Sequence, residues 1–298
     1  MPHRVGADRH LIVGIGDIHG RFCRLKGWAG RLGETLPLPI GLGLSVGDVE
    51  AFQDAADLRR KARKRSMPAE FAAIAGGASD LGFPLAFVGG NNEDFEALAP
   101  MPDGGEIAPG IRYLGRSGVQ PLSGLRIAYL SGIHAPRFYD APLLPPRDMA
   151  TRKHAGYFRR SEVEHLAGAK GVDLLVLHEW PRGLSRPGVE GGPSPWMGSP
   201  VARALCERLR PSWVLCGHGH RAWASELRWA DGTCTRVACL DELTRPEHGL
   251  LWMEVAGGRV RRVGYGFDPR PAWEEGRAWG PWCIPPSATE LEAPANSA

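Results

Sequence analysis

Two histidines one residue apart, His218 and His220 in Cys216-Gly217-His218-Gly219-His220, answer a pair near the other end, Asp17 and His19 in Gly16-Asp17-Ile18-His19-Gly20. Between them stand, in order, Asp48 after Gly47, Asn91 in Gly89-Gly90-Asn91-Asn92-Glu93, and His178 closing an apolar run. These are seven oxygen or imidazole donors on five segments, each at or just past a predicted strand end. Such mixed donor sets suit borderline divalent ions. A hydrolytic pair of ions needs an anionic oxygen to bridge it and neutral imidazoles that hold it without cancelling its charge. A single Asp-x-His or His-x-His reads as turn chemistry at least as readily; the ordered set carries the inference.

Strands must deliver these residues. Leu11 to Ile15, Leu42 to Val46 and Leu85 to Val88 are short apolar runs that end at Asp17, Asp48 and Asn91. Helical stretches lie between them, over residues 21–32 and from Asp54 to Ala78 with an interruption near Pro68. This is the alternation of an α/β sheet, whose ligands collect at the carboxyl ends of strands. Residues 111–114, 119–122 and 126–130 predict a meander of short strands split by glycine turns. Residues 135–160 form a Pro- and Arg-rich insertion, followed by a helix from Ser161 with a Ser161/Glu164 capping box. A buried strand over 172–177 then delivers His178.

Residues 183–200 are Gly-, Pro- and Ser-rich, a loop over the site. A helix over 201–209 and a strand over 213–216 lead to the His-Gly-His turn, with Cys216 read as packed core. Four runs (222–230, 234–240, 249–256 and 259–265) then predict alternating antiparallel strands. One domain is expected over residues 1–268, followed by a Pro/Trp-rich tail over 269–298 that Trp273, Trp279 and Trp282 pin to the body.

The series Asp17-x-His19, Gly47-Asp48, Gly90-Asn91-Asn92-Glu93, His178 and Gly217-His218-x-His220 resembles the calcineurin-like metallophosphoesterases over roughly residues 10–265. Within them, Tyr129-Leu130-Ser131-Gly132-Ile133-His134, Tyr157-Phe158-Arg159-Arg160-Ser161-Glu162 and Leu177-His178-Glu179-Trp180-Pro181-Arg182-Gly183 are similar to segments of RNA lariat debranching enzymes, in the same order. The resemblance implies a four-layer αββα sandwich, two mixed β-sheets flanked by helices. It also implies two divalent ions, Mn, Fe or Zn, bridged by Asp48. Asp17, His19 and His220 would complete one shell; Asn91, His178 and His218 would complete the other. Ions about 3.5–4 Å apart can hold a bridging hydroxide for in-line attack on a phosphoester.

Two positions depart from that pattern. Asn92 stands where the superfamily carries a histidine, the general acid or electrostatic partner of the leaving oxygen, a role worth about 10²–10⁴-fold. Asparagine donates a hydrogen bond but gives up no proton, so His134 is a second candidate for the catalytic acid, beside its reading as a structural partner. Asp17 stands where debranching enzymes commonly carry cysteine, and carboxylate is the harder ligand.

The 298 residues are 43% hydrophobic and 23% charged with net charge +3, so no global field points to nucleic acid. Local clusters do. Leu58 to Arg65 is the densest basic run. Arg137, Arg147, Arg152, Lys153, Arg159 and Arg160 interleave with Phe138, Tyr139, His154, Tyr157 and Phe158 in the insertion. Cations mixed with aromatics suit a strand of RNA, charges tracking phosphates and rings stacking bases. Arg137, Tyr157, Arg159 and Arg160 are therefore candidate substrate contacts, and Trp180, beside His178, is another that reads equally as an anchor of the following loop. Six unpaired-looking cysteines, no leader and no run of roughly 20 apolar residues give the expectation of a cytoplasmic protein outside the membrane. Composition says nothing of oligomeric state. Three readings compete: a two-metal phosphodiesterase on RNA or nucleotide esters, a phosphomonoesterase, and a nucleic-acid-binding protein with a structural metal site. Gly47-Asp48-Val49-Glu50 lacks the Asp-Arg-Gly continuation of the protein phosphatases, which favours the first.

Overall fold

The computed structural model describes residues 9–53, 70–145, 148–149, 151–184, 194 and 196–276. Its first strand, β1 (Arg9–Ile15), is buried from Leu11 onward, as a strand covered on both faces must be. Helix α1 (Phe22–Thr35) turns Phe22, Leu25 and Leu32 inward. β2 (Ile40–Ser45) follows, then the short α2 (Phe71–Ala75), β3 (Leu85–Phe87) and α3 (Phe95–Leu98). Of the stretch expected to be helical from Asp54 to Ala78, residues 54–69 with the basic run lie outside the described residues, and α2 falls in the remainder.

The stretch from 111 to 130 is not one meander. β4 (Gly105–Ala108), which the sequence pattern does not announce, pairs antiparallel with β5 (Ile111–Tyr113), and β5 runs parallel to β3. The chain then changes sheet: β6 (Ser117–Leu122) and β7 (Leu125–Leu130) form a hairpin elsewhere. The change falls at Gly115, with φ +110, where a Cβ would lie 2.7 Å from backbone atoms of the preceding turn. Only glycine fits that corner.

Next come α4 (Pro136–Tyr139), a 3₁₀ turn over Arg152–Gly156 and α5 (Arg160–Leu166). The capping box expected at Ser161 sits earlier: Glu162 accepts the Arg159 backbone N–H at 2.7 Å. The reason is tertiary, because the Arg116 guanidinium also binds Glu162, at 2.6 and 3.0 Å, and thereby sets the helix start. β8 (Leu174–Leu177), α6 (Pro200–Leu209), β9 (Trp213–Cys216), β10 (Trp223–Arg228) and β11 (Cys234–Cys239) complete the second half. After α7 (Pro246–Gly249) the chain returns through β12 (Leu250–Ala256), β13 (Arg259–Tyr265) and β14 (Trp273–Glu274).

One sheet has the order β14-β13-β12-β1-β2-β3-β5-β4 and the other β10-β11-β9-β8-β7-β6. The four late strands thus do not form one antiparallel set. β10 and β11 join the second sheet, where β11 runs parallel to β9, while β12 and β13 return to the first. Ile12, Leu44 and Val88 of the first sheet pack on Ile127, Val176 and Leu215 of the second. Outside them, α1 and α2 cover the first sheet through Phe22, Leu25 and Phe71, and α5 and α6 cover the second through Leu166 and Leu205. The layers are helix, sheet, sheet, helix, the four-layer α/β sandwich expected. Trp273 is buried with its ring edge-on to Trp213 at 5.1 Å; Trp279 and Trp282 lie outside the described residues. Among the described residues no helix is long and apolar enough to cross a membrane.

Candidate metal centre

β1, β2 and β3 run parallel, as do β7, β8 and β9, so the loops after them open at one edge of the sandwich. The two sheets meet there. A Cβ on Gly47 (φ +112) would fall 2.6 Å from the Nδ1 of His178, so the β2 loop reaches the other sheet only without a side chain. Backbone strain gathers at the same place. Of seven non-glycine residues with positive φ among those described, five are His19, Asp48, Glu50, His218 and His220. Each such residue costs on the order of 1–3 kcal/mol unless its surroundings demand it.

Ligating atoms of Asp17, His19, Asp48 and His220 all lie within 4.8 Å of one another. The Nδ1 of His19 is 2.6 Å from the Glu50 carboxylate, which can only accept, so the ring proton sits there. Its Nε2 then presents a lone pair, and what it meets is the Nε2 of His220 at 3.2 Å and Asp17 Oδ2 at 3.9 Å. Asp17 is fully buried. Its Oδ2 has no hydrogen-bond partner, although the His220 Nε2 is 3.1 Å away, close but not aligned.

The second group repeats this logic. His178 donates through Nδ1 to the Val46 carbonyl at 2.8 Å. In the neutral ring its Nε2 is an acceptor, yet it faces Asn91 Oδ1 at 3.0 Å and Asp48 Oδ1 at 3.4 Å. The His218 ring lies 5.0 Å from that of His178, and its backbone N–H donates to Asp17 Oδ1 at 3.3 Å. A buried imidazole lone pair that faces carboxylate or amide oxygens is costly. A cation among Asp17, His19, Asp48 and His220 would relieve the conflict there, and these donors fit a divalent ion. Asp48 belongs to both groups.

Asn92 holds Asp48 in place. Its backbone N–H donates to Oδ1 at 2.7 Å and its Nδ2 to Oδ2 at 2.6 Å. Burial pushes the Asp48 carboxyl upward, but His178, His19 and the two Asn92 bonds outweigh it and keep it below its ordinary range. His220 is raised, chiefly by its contact with Asp17. Three supporting carboxyls carried no assigned role in the sequence reading. Glu50 orients His19. Glu93 accepts backbone N–H groups of Val49, Glu50 and Gly90 at 2.8–3.0 Å, tying the β2 and β3 loops together. Burial, then the charge of Asp48, push Glu93 well above the usual carboxyl range. Glu179 accepts the His134 backbone N–H at 2.7 Å, and burial lifts it to about 7. The available signal was proximity: each acid stands within two residues of a candidate ligand.

The remaining candidates separate. The His134 ring stacks on Phe158 at 5.9 Å and meets Tyr139 edge-on at 5.3 Å, and burial, then Arg182, lower its pKa. Arg159 and Trp180 are not open substrate contacts, being 4% and 2% exposed. Arg159 spends its guanidinium on the carbonyls of Tyr157 and His154. Trp180 lies beneath the His218–His220 turn, where a Cβ on Gly219 would be 3.0 Å from its indole. Arg160 is exposed and paired with Asp140. Arg137 is exposed and Tyr157 half-buried; Arg147 lies outside the described residues. The insertion folds toward the centre: a Cβ on Gly156 would be 3.0 Å from the Asn91 Cα.

Comparison with known proteins gives a consistent picture. Residues 10–222 match the family model of the calcineurin-like phosphoesterases. The human lariat debranching enzyme is 32% identical over 210 residues, 63% of this chain and 38% of that protein. The Saccharomyces cerevisiae lariat debranching enzyme is 27% identical over 214 residues, 64% of this chain and 52% of its own length. The chain thus spans about half or less of the length of these two relatives. A protein of Thermus thermophilus superposes with TM-score 0.51 at 15% identity, covering 88% of this chain and 99% of its own. GAP50, the anchor in the inner membrane complex of Plasmodium, superposes with TM-score 0.52 at 10% identity over 93% of this chain and 91% of its own. At those identities the likeness is one of fold alone.

Proposed function

Because the chain belongs to the calcineurin-like phosphoesterase family, we propose that it is a hydrolase of phosphoric diesters that binds two divalent ions and acts on RNA or a nucleotide ester. The observation that carries this reading is the buried cluster of Asp17, His19, Asp48 and His220, whose Asp48 also lies 3.4 Å from His178. When bound, such ions supply Lewis-acid activation of water and neutralise charge on the phosphate. Asp17, His19 and His220 would hold one with Asp48; Asn91, His178 and His218 would hold the other.

The chain's own residues prepare these atoms. Glu50 and the Val46 carbonyl fix the tautomers of His19 and His178, so each ring offers a lone pair inward. Asn92 keeps both Asp48 oxygens oriented, and Glu93 fixes the loops that carry them. Diester rather than monoester preference is supported by the similarity to lariat debranching enzymes.

The test is hydrolysis of bis(p-nitrophenyl) phosphate and p-nitrophenyl phosphate by metal-stripped protein resupplied with Mn²⁺, Fe²⁺ or Zn²⁺. His178→Ala serves as the contamination control. Metal-dependent diester cleavage that the variant lacks supports the reading; monoester cleavage alone sinks it. A second reading, a nucleic-acid-binding protein of weak turnover, is favoured by Asn92, whose amide is committed to Asp48 and has no proton to give. Silence with every metal alongside RNA binding would select it.

A further inference from the structure

Four arginines of the segments that flank the metal centre are committed elsewhere. Arg116 is clamped by Glu162 and donates to the carbonyls of Ala155 and Tyr157 at 2.7 and 2.8 Å. Arg159 is spent on carbonyls, Arg160 on Asp140 and Arg21 on Glu242. Arg182 is different. It is half-buried, its Nε is closed off from solvent without a hydrogen-bond partner, and its guanidinium makes no ion pair among the described residues. A buried N–H left without an acceptor is costly and calls for one.

The place of Arg182 says which acceptor. It stands four residues past His178, on the loop that leaves β8. The neighbouring loop, after β7, carries His134, and its Gly132 N–H donates at 2.7 Å to the carbonyl of Gly89, two residues before Asn91. Glu179 joins the two loops by accepting the His134 N–H at 2.7 Å. The charge of Arg182 is felt on both sides: after burial it lowers His134, and it opposes the burial that raises Glu179. The guanidinium therefore lies at the edge where the candidate metal donors converge. Its base is fixed. The Arg182 N–H donates to the Ser199 carbonyl at 3.0 Å, the Ser199 N–H to that of Trp180 at 2.7 Å, and the Ser199 hydroxyl caps α6. Asn92, meanwhile, commits its amide to Asp48 rather than to a substrate.

We infer that Arg182 is a substrate-binding residue, whose guanidinium donates to a non-bridging oxygen of the phosphate seated at the metal centre. The inference rests on the diesterase reading. A planar fork of donors matches phosphate oxygens, and its charge persists at any working pH. Arginine gives up no proton, so Arg182 does not replace an acid. It holds the phosphate and stabilises charge that builds on its oxygens. A fixed backbone beneath it lowers the cost of ordering the side chain.

The experiment follows the phosphorus NMR line of dimethyl phosphate, an inert diester, as Mn²⁺-loaded protein broadens it. Arg182→Gln removes the charge, Arg182→Lys keeps it without the fork, and circular dichroism with Mn²⁺ affinity identifies any variant that is merely misfolded. We expect the glutamine variant to bind dimethyl phosphate roughly 10- to 100-fold more weakly, the lysine variant to fall between, and Mn²⁺ affinity to stay unchanged in both. Wild-type binding of the diester by Arg182→Gln overturns the role of Arg182 and leaves the diesterase reading standing. So does a parallel loss of Mn²⁺ affinity, which would place Arg182 behind the ligands instead of on the substrate. A wild-type protein that binds Mn²⁺ but leaves the line sharp overturns both.

Discussion

The Nε2 atoms of His19 and His220 face each other across 3.2 Å, though 201 residues separate them in sequence. Glu50 takes the only proton a neutral His19 ring carries, so His19 turns a lone pair toward His220. Stripping bound ions should therefore destabilise the protein. At free metal a thousand times Kd, binding contributes about 4 kcal/mol. Tm should rise by about 5–15 °C on adding Mn²⁺ or Zn²⁺ to chelated protein. A Tm indifferent to every divalent ion would contradict the two-group assignment.

Glu50 orients His19 through its 2.6 Å contact with Nδ1. Glu50→Ala should weaken metal affinity by about 10- to 100-fold, the usual cost of losing an orienting carboxylate. Glu50→Gln, which still accepts from Nδ1, should recover most of it. Competition against a chelating dye reads both. Equal losses in the two variants would mean that the negative charge matters, rather than the orientation.

Asn92→His would put a titratable ring beside Asp48. Turnover of a diester with an alkoxide leaving group should rise by about 10²–10⁴-fold. Cleavage of a p-nitrophenolate ester, whose leaving group needs no proton, should change little. If both substrates respond alike, the substitution has altered metal binding instead.

Glu179 gives a pH signature. Its folded pKa is raised to about 7 by burial, against an ordinary value of about 4.3 in the unfolded chain. The folded state holds the proton more tightly, so stability falls as pH rises from about 4.3 through about 7 and is level above. Glu179→Gln keeps an acceptor for the His134 N–H and removes this slope. In metal-stripped protein its Tm advantage should grow from pH 5 to pH 7.5; a constant offset would mean that Glu179 does not titrate in that range.

Asp17, His19, Asp48 and His220, which the structure brings within 4.8 Å of one another, were legible because each lies just past an apolar run and because a fixed order of donors is hard to reach by chance. The layers were legible for the same reason. What the sequence hid was tertiary. Nothing local tells that Gly115 ends one sheet's contribution and begins the other's. Glu162 is placed by Arg116, which is 46 residues away, and so the helix begins before the serine that looked like its cap. Arg159 reads as a substrate contact until the carbonyls of His154 and Tyr157 are seen to occupy it. Glu50 and Glu93 were in plain view, but acids beside ligands are common, and only geometry shows which ring or which N–H each one holds.

Each acceptor group draws on both sheets: Asp17, His19 and Asp48 meet His220, and Asp48 with Asn91 meets His178. A chain emerging from the ribosome holds the carboxylates and Asn91 well before β8 and β9 exist. Neither group can close on an ion at that stage, however much metal surrounds it. If the groups hold ions as proposed, loading is tied to the closing of the sandwich and becomes a checkpoint that only a finished fold can pass.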